Sequence, residues 1–181
     1  MNGPNFLTIL RIFSIPVLVV VLLTSFRGQE LTAFLIFIFA TLTDTVDGIW
    51  ARKTQQTTVL GQLLDPVADK LLVSSVLICM VQTGHVPAWM AVIIIGREFA
   101  VTGFRAIASS RGHNIPASWS GKIKMGTETF TISLLILGKR ILGSFFILSQ
   151  VGLWLVVGVA IFSGVEYYVK YWQQVFSDGS V

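Results

Sequence analysis

Four aspartates, Asp44, Asp47, Asp65 and Asp69, fall within 26 consecutive positions and make up four of the chain's nine acidic residues. They form two pairs, each at the edge of a strongly apolar run. An ionisable group at membrane depth is expensive and marks function by default. Hard divalent cations want several oxygen ligands and keep positions open for phosphate oxygens, so two carboxylate pairs read as a divalent-metal site. Two metals held there would clamp a pyrophosphate and offset the charge of a leaving phosphate. The residues in between suit the same chemistry. Gly48 and Gly61 carry no side chain to keep a nucleotide from the backbone, and Arg52 offers a planar, permanently charged fork for phosphate. Any one of these aspartates could instead be a helix N-cap or a polar residue at a membrane edge. A proton relay or ion path also uses intramembrane carboxylates, but it does not need the Gly48, Ala51, Arg52 insert.

The elements that position the aspartates follow from periodicity and composition. Each helical residue turns about 100°, which puts Asp44 and Asp47 about 60° apart and Asp65 and Asp69 about 40° apart, each pair on one face. Two antiparallel helices joined by a short loop would bring those faces together. The 181 residues are 54% hydrophobic and 12% charged, with mean hydropathy +0.77. A soluble domain carries about a quarter charged residues, so the composition excludes an ordinary soluble enzyme. Apolar runs predict spans at about residues 12–24 (extended by 6–10), 31–51, 65–83, 88–108, 119–137 and 145–168, with Pro66 in the first turn of the third. At about 20 residues per span, six spans use nearly the whole chain. The expectation is a single domain over 1–181, an all-α integral membrane protein built as a six-transmembrane-helix bundle. The first run follows Arg11 as in a signal peptide, but no small-residue cleavage site follows it, so it reads as a membrane helix.

Charge sets the expected orientation. Of the 13 Lys and Arg, all but Arg27, Lys139 and Arg140 fall on one side or in the half-spans facing it. The positive-inside rule then places both termini and the aspartates at the cytoplasmic side. The net charge of +4 reads as topology and phosphate chemistry, with no nucleic-acid partner. Cys79, Met80 and Met90 read as apolar packing, Tyr171 and Trp172 as interfacial anchors. His85 and His113 read as loop residues outside any metal set.

The pattern Asp44-x2-Asp47-Gly48-x2-Ala51-Arg52-x8-Gly61-x3-Asp65-x3-Asp69 resembles the signature of the CDP-alcohol phosphotransferase family at all eight of its fixed positions. The resemblance implies a dimeric membrane bundle that transfers a phosphatidyl or related group from a CDP-linked donor to an alcohol and releases CMP. Carried onto this chain, it implies Asp44, Asp47, Asp65 and Asp69 around two Mg²⁺ or Mn²⁺ ions. Asp69 would also be the catalytic base, and Gly48, Arg52 and Gly61 would contact the cytidine diphosphate.

Further stretches resemble bacterial phosphatidylglycerophosphate synthases. They are Pro4-Asn5-Phe6-Leu7-Thr8-Ile9-Leu10-Arg11, the run from Leu64 to Lys70, Arg97-Glu98-Phe99 through Arg105, and Ser118-Trp119-Ser120-Gly121-Lys122-Ile123-Lys124. This likeness implies CDP-diacylglycerol as donor, sn-glycerol 3-phosphate as acceptor, and a homodimer among the lipids of the bacterial cytoplasmic membrane. Where those synthases usually continue Lys-Thr-x-x-Gln, this chain has Met125 and Glu128 in the Thr and Gln positions.

The residues support an acceptor site independently. Arg97 lies mid-span, where an unpaired cation is costly. Arg105 is two turns on and about 80° around the helix, and Lys122 and Lys124 open the next span. Together they could hold a phosphate dianion facing the aspartates. The bland alternatives are snorkelling for Arg105, Lys122 and Lys124, and a structural pair with Glu98 or Glu128 for Arg97. Rival functions are a cardiolipin synthase or an inositol-phosphate acceptor within the family, an ion-coupled transporter, and an assembly protein without turnover.

Overall fold

The computed structural model describes the backbone of residues 3–54, 59–111 and 119–176, and the side chains of 8–43, 65–111, 121 and 123–171. Among the described residues there is no strand and there are six α-helices. They are α1 (Gly3–Leu23), α2 (Gln29–Thr54), α3 (Val59–Gln82), α4 (Ala88–Ser110), α5 (Trp119–Leu142) and α6 (Ile147–Phe176). The ends have local causes. Past α3, Gly84 takes φ +76, which lets its N–H reach Val81 O (3.1 Å) and His85 N–H reach Met80 O (2.9 Å). Left-handed glycine closure of this kind satisfies carbonyls that the last helical turn leaves open. Pro87, at φ −61 and ψ 136, then starts α4.

α1 packs along both α2 and α3, α5 packs on α6 and α2, and α4 packs on α6 and α3. The main core joins Leu18, Phe37, Leu72, Val76, Met90 and Ile94 to Leu135 and Leu153. Cys79, Met80 and Met90 lie buried in it, as small or adaptable apolar side chains would. Polarity is inverted relative to a soluble bundle. Phe13, Val92, Phe145 and Val169 are each about 70% exposed, while Arg11, Lys124 and Glu128 are at most 5% exposed. An apolar exterior of that extent suits lipid and not water. Among the described residues one helical stretch, Ile123–Tyr171, is long and apolar enough to cross a membrane. Gly138 (φ 64, ψ 175) interrupts it within α5, and its two arms, α5 and α6, pack against each other. The apolar stretches Thr8–Leu23 and Gln29–Thr43 are shorter.

Two expectations change. α3 begins at Val59, so Asp65 is not at its start and Pro66 is inside the helix instead of in its first turn. Residues 59–64 extend the helix N-terminally, and Pro66, which has no backbone N–H, then leaves one interior hydrogen bond unmade. The fifth helix, by contrast, is interrupted just past 137, where it was expected to end: Gly138 (φ 64, ψ 175) is not helical, and a further piece to Leu142 and a short tight turn at Gly143–Phe146 lead into α6. Tyr171 is not an interfacial anchor. It is 9% exposed and stacks at 5.0 Å on Tyr167, in a second cluster with Phe104 and Ala108. The side chain of Trp172 and all of His113 lie outside the described residues.

Candidate active site

Asp44 and Asp47 sit on the backbone of α2, as do Gly48 and Arg52, and Gly61 sits on α3. The side chains at 44, 47 and 52 lie outside the described residues, as does that of Lys122. Asp65 and Asp69, one turn apart on α3, are described. Among the described residues no three His, Cys, Asp or Glu side chains group closely enough for a metal ion, since the α2 aspartates are not among them. The donor chemistry of the half that is described fits a hard cation. It supplies two carboxylates at i, i+4, and Asp65 Oδ1 is already fixed by the Thr8 hydroxyl at 2.5 Å. A carboxylate anchored through one oxygen keeps lone pairs on the other for a metal.

Asp69 lines a cleft of about 110 Å³ where four helices meet. Thr41 comes from α2, Asp69 from α3, Arg97 and Glu98 from α4, and Gly121, Lys124 and Glu128 from α5. Sequence reasoning assigned Asp69 to the metals and Arg97 and Lys124 to an acceptor phosphate, and the structure brings all three to one cavity. Arg105 is exposed and is not among the residues lining it.

The cations in this cleft are held by carboxylates. Glu98 Oε1 accepts from Arg97 Nη1 at 2.6 Å and from Lys124 Nζ at 2.5 Å. Lys124 also donates to Glu128 Oε2 at 2.5 Å. Arg97 Nη2 donates to Ser163 Oγ of α6 at 3.1 Å. The guanidinium therefore uses both arms of its fork, which a lysine could not do. Arg97 pairs with its neighbour Glu98, one of the structural partners weighed for it, while Glu128 pairs with Lys124 instead. Both cations already have carboxylate partners, so an anionic ligand must compete with Glu98 and Glu128 for Arg97 and Lys124.

Breaking a buried pair from one side costs about 3–5 kcal/mol because the remaining charge is stranded. Lys124→Met should therefore lower the unfolding temperature in detergent clearly more than Lys124→Arg, which keeps the charge. Equal transitions for the two variants would mean that Glu98 and Glu128 do not depend on the Lys124 charge.

Sequence reasoning missed Ser163, a hydroxyl inside an apolar run with no local signal. It quoted Thr8 without giving it a role and read Arg11 only as a topological charge, although Arg11 is 1% exposed. The three-residue spacing of Thr8 and Arg11, two polar residues on one face of an apolar helix, was the available clue.

The CDP-alcohol phosphatidyltransferase family model matches residues 1–162. The chain is 40% identical to the CDP-diacylglycerol–glycerol-3-phosphate 3-phosphatidyltransferase of Bacillus subtilis, over 95% of this chain and 96% of that one. It is 34% identical to the protein of the same name from Rickettsia felis, over 92% and 93%. It is also 35% identical to a probable phosphatidylglycerophosphate synthase of Mycobacterium tuberculosis, over 93% and 81%.

Proposed function

The chain belongs to the CDP-alcohol phosphatidyltransferase family, and from that premise we propose that it transfers the phosphatidyl group of CDP-diacylglycerol to sn-glycerol 3-phosphate. The products are phosphatidylglycerophosphate and CMP, and the protein is a membrane-bound transferase of phospholipid biosynthesis. The observation that carries the acceptor assignment is the shared cleft, which sets Asp69 beside Arg97 and Lys124.

Enzymes of this family generally use divalent metal ions. Asp44, Asp47, Asp65 and Asp69 would hold two of them, Mg²⁺ or Mn²⁺. Bound there, the ions offset the charge of the donor pyrophosphate and of the departing CMP. The chain's own groups do the rest. Arg52, with the bare backbone at Gly48 and Gly61, receives the cytidine diphosphate. Arg97 and Lys124, together with Lys122 and Arg105, bind the acceptor phosphate. Asp69 takes the proton of the attacking hydroxyl as its oxygen bonds to the β-phosphorus. The bond from that phosphorus to the bridging oxygen breaks, and CMP leaves with the electron pair.

In the same reading residues 1–181 form one domain whose six helices all span the bacterial cytoplasmic membrane, and the protein works as a homodimer. The site and both termini face the cytoplasm. The distribution of cations supports this orientation. Arg140 pairs with Glu30 (3.9 Å), and both line a polar pocket with Lys139 and His85. The turns after α1, α3 and α5 thus share one end of the bundle, and the two acidic pairs belong to the other.

The experiment is a kinetic separation of the two substrates. Losing one charge-assisted contact costs about 1.5–3 kcal/mol, so Arg97→Ala should raise the KM for glycerol 3-phosphate by roughly 10- to 150-fold. The KM for CDP-diacylglycerol should change far less. Arg97→Lys should rescue poorly, since Glu98 and Ser163 engage separate arms of the fork. An unchanged glycerol 3-phosphate KM would make Arg97 a structural residue and return the assignment to an unspecified alcohol.

A further inference from the structure

The two helices that carry the aspartates are connected by α1, which carries none of them. Among the described residues α2 and α3 touch each other over only a short stretch, and each packs along α1. Two polar residues on α1 make the link. Thr8 and Arg11 are each 1% exposed. Three residues apart, they lie about 60° from one another and so share a face. Thr8 Oγ1 donates to Asp65 Oδ1 on α3 at 2.5 Å. Arg11 Nε donates to the carbonyl oxygen of Ala40 on α2 at 3.2 Å. Ala40 lies one turn before Asp44, and its carbonyl also accepts Thr43 Oγ1 at 2.8 Å.

Burying a hydroxyl and a guanidinium in an apolar bundle is unfavourable unless their hydrogen bonds are made. Here those bonds end on the two helices that carry the carboxylates.

We propose that Thr8 is a positioning residue of the metal centre. Its hydroxyl fixes the Asp65 carboxylate in the orientation that ligates, and Arg11 ties the aspartate-bearing end of α2 to the same helix. α1 is thereby the spacer that sets how far apart the two acidic pairs stand. The inference rests on the proposed role of Asp65 as a metal ligand. A hydrogen bond to a ligating carboxylate restricts its rotation and leaves the second oxygen for the ion. Loss of such an outer partner typically weakens metal binding about 10- to 100-fold.

The test is Mn²⁺ binding without any substrate. Full-length protein is purified in detergent and stripped with chelator, and free Mn²⁺ is followed by electron paramagnetic resonance during titration. Thr8→Val keeps the shape and removes the hydroxyl, so its Kd for Mn²⁺ should rise about 10- to 100-fold. Thr8→Ser keeps the hydroxyl and should stay within a few-fold of the unaltered protein. The unfolding temperature of each metal-free variant is measured alongside. A purely structural Thr8 would lower that temperature in Thr8→Val and leave the Kd alone, which would overturn the proposal. If Thr8→Val does not yield folded protein, Thr8→Ala, which removes the donor without adding bulk, carries the same expectation and the same refutation. Should the unaltered protein bind no Mn²⁺, the metal reading itself fails. Should it bind Mn²⁺ and Thr8→Val bind equally well, only the positioning role fails.

Discussion

Alanine at Asp44, Asp47 or Asp65 is expected to stop CMP release from CDP-diacylglycerol, and a chelator is expected to do the same to the unaltered protein. Activity should return on addition of Mg²⁺ or Mn²⁺ in the chelated sample and not in the variants. The expectation follows from charge. Displacement at a pyrophosphate concentrates negative charge on oxygens that only a preorganised positive centre can stabilise, and removing one such stabilising group costs about 10²–10³-fold. A missing ligand disturbs both the ion it holds and the donor that ion orients, so the loss should exceed that range. Asp65 is the informative member, because its carboxylate is already anchored by Thr8. Asp65→Asn would retain an oxygen for that bond while dropping the charge, and should fall between alanine and the unaltered protein. Full turnover in EDTA would rule out the metal site.

Asp69→Asn should separate binding from chemistry. The amide keeps the shape and one ligating oxygen but cannot take the acceptor proton. Losing a general base typically costs about 10²–10⁴-fold in rate, so donor binding should persist while CMP release nearly ceases. The location of Asp69 makes this a sharp test. Of the two aspartates whose side chains are described, it is the one that lines the cleft with Arg97 and Lys124, where an acceptor hydroxyl would arrive. Equal losses in donor affinity and in rate would show that Asp69 only ligates metal and that another group takes the proton.

The sequence revealed the chemistry more clearly than its support. Two carboxylate pairs beside apolar runs stand out because charge is rare there, and the middles of the helices follow from their apolar length. Helix ends were less legible. Pro66 suggested a late start for α3, yet the helix begins at Val59 and runs through it. The break at Gly138 depends on a positive φ, which composition does not announce. Contacts between distant helices were the least accessible. Glu98 bridging Arg97 to Lys124, and Arg97 reaching Ser163, join residues on three helices, and no local period encodes them. Arg11 resembled a flanking charge because its burial comes from two helices closing around it. The side chains of Asp44, Asp47, Arg52 and Lys122 lie outside the described residues, so their roles rest on spacing and family membership.

The most direct measurement of the central claim is an acceptor panel. Purified protein would receive CDP-diacylglycerol, Mg²⁺ and one alcohol at a time: sn-glycerol 3-phosphate, phosphatidylglycerol or an inositol phosphate. CMP release and the lipid product would be measured together by mass spectrometry. The account predicts stoichiometric CMP and phosphatidylglycerophosphate with glycerol 3-phosphate, and little of either with the others. Preferred turnover of phosphatidylglycerol or an inositol phosphate, or no CMP with any acceptor, would contradict it.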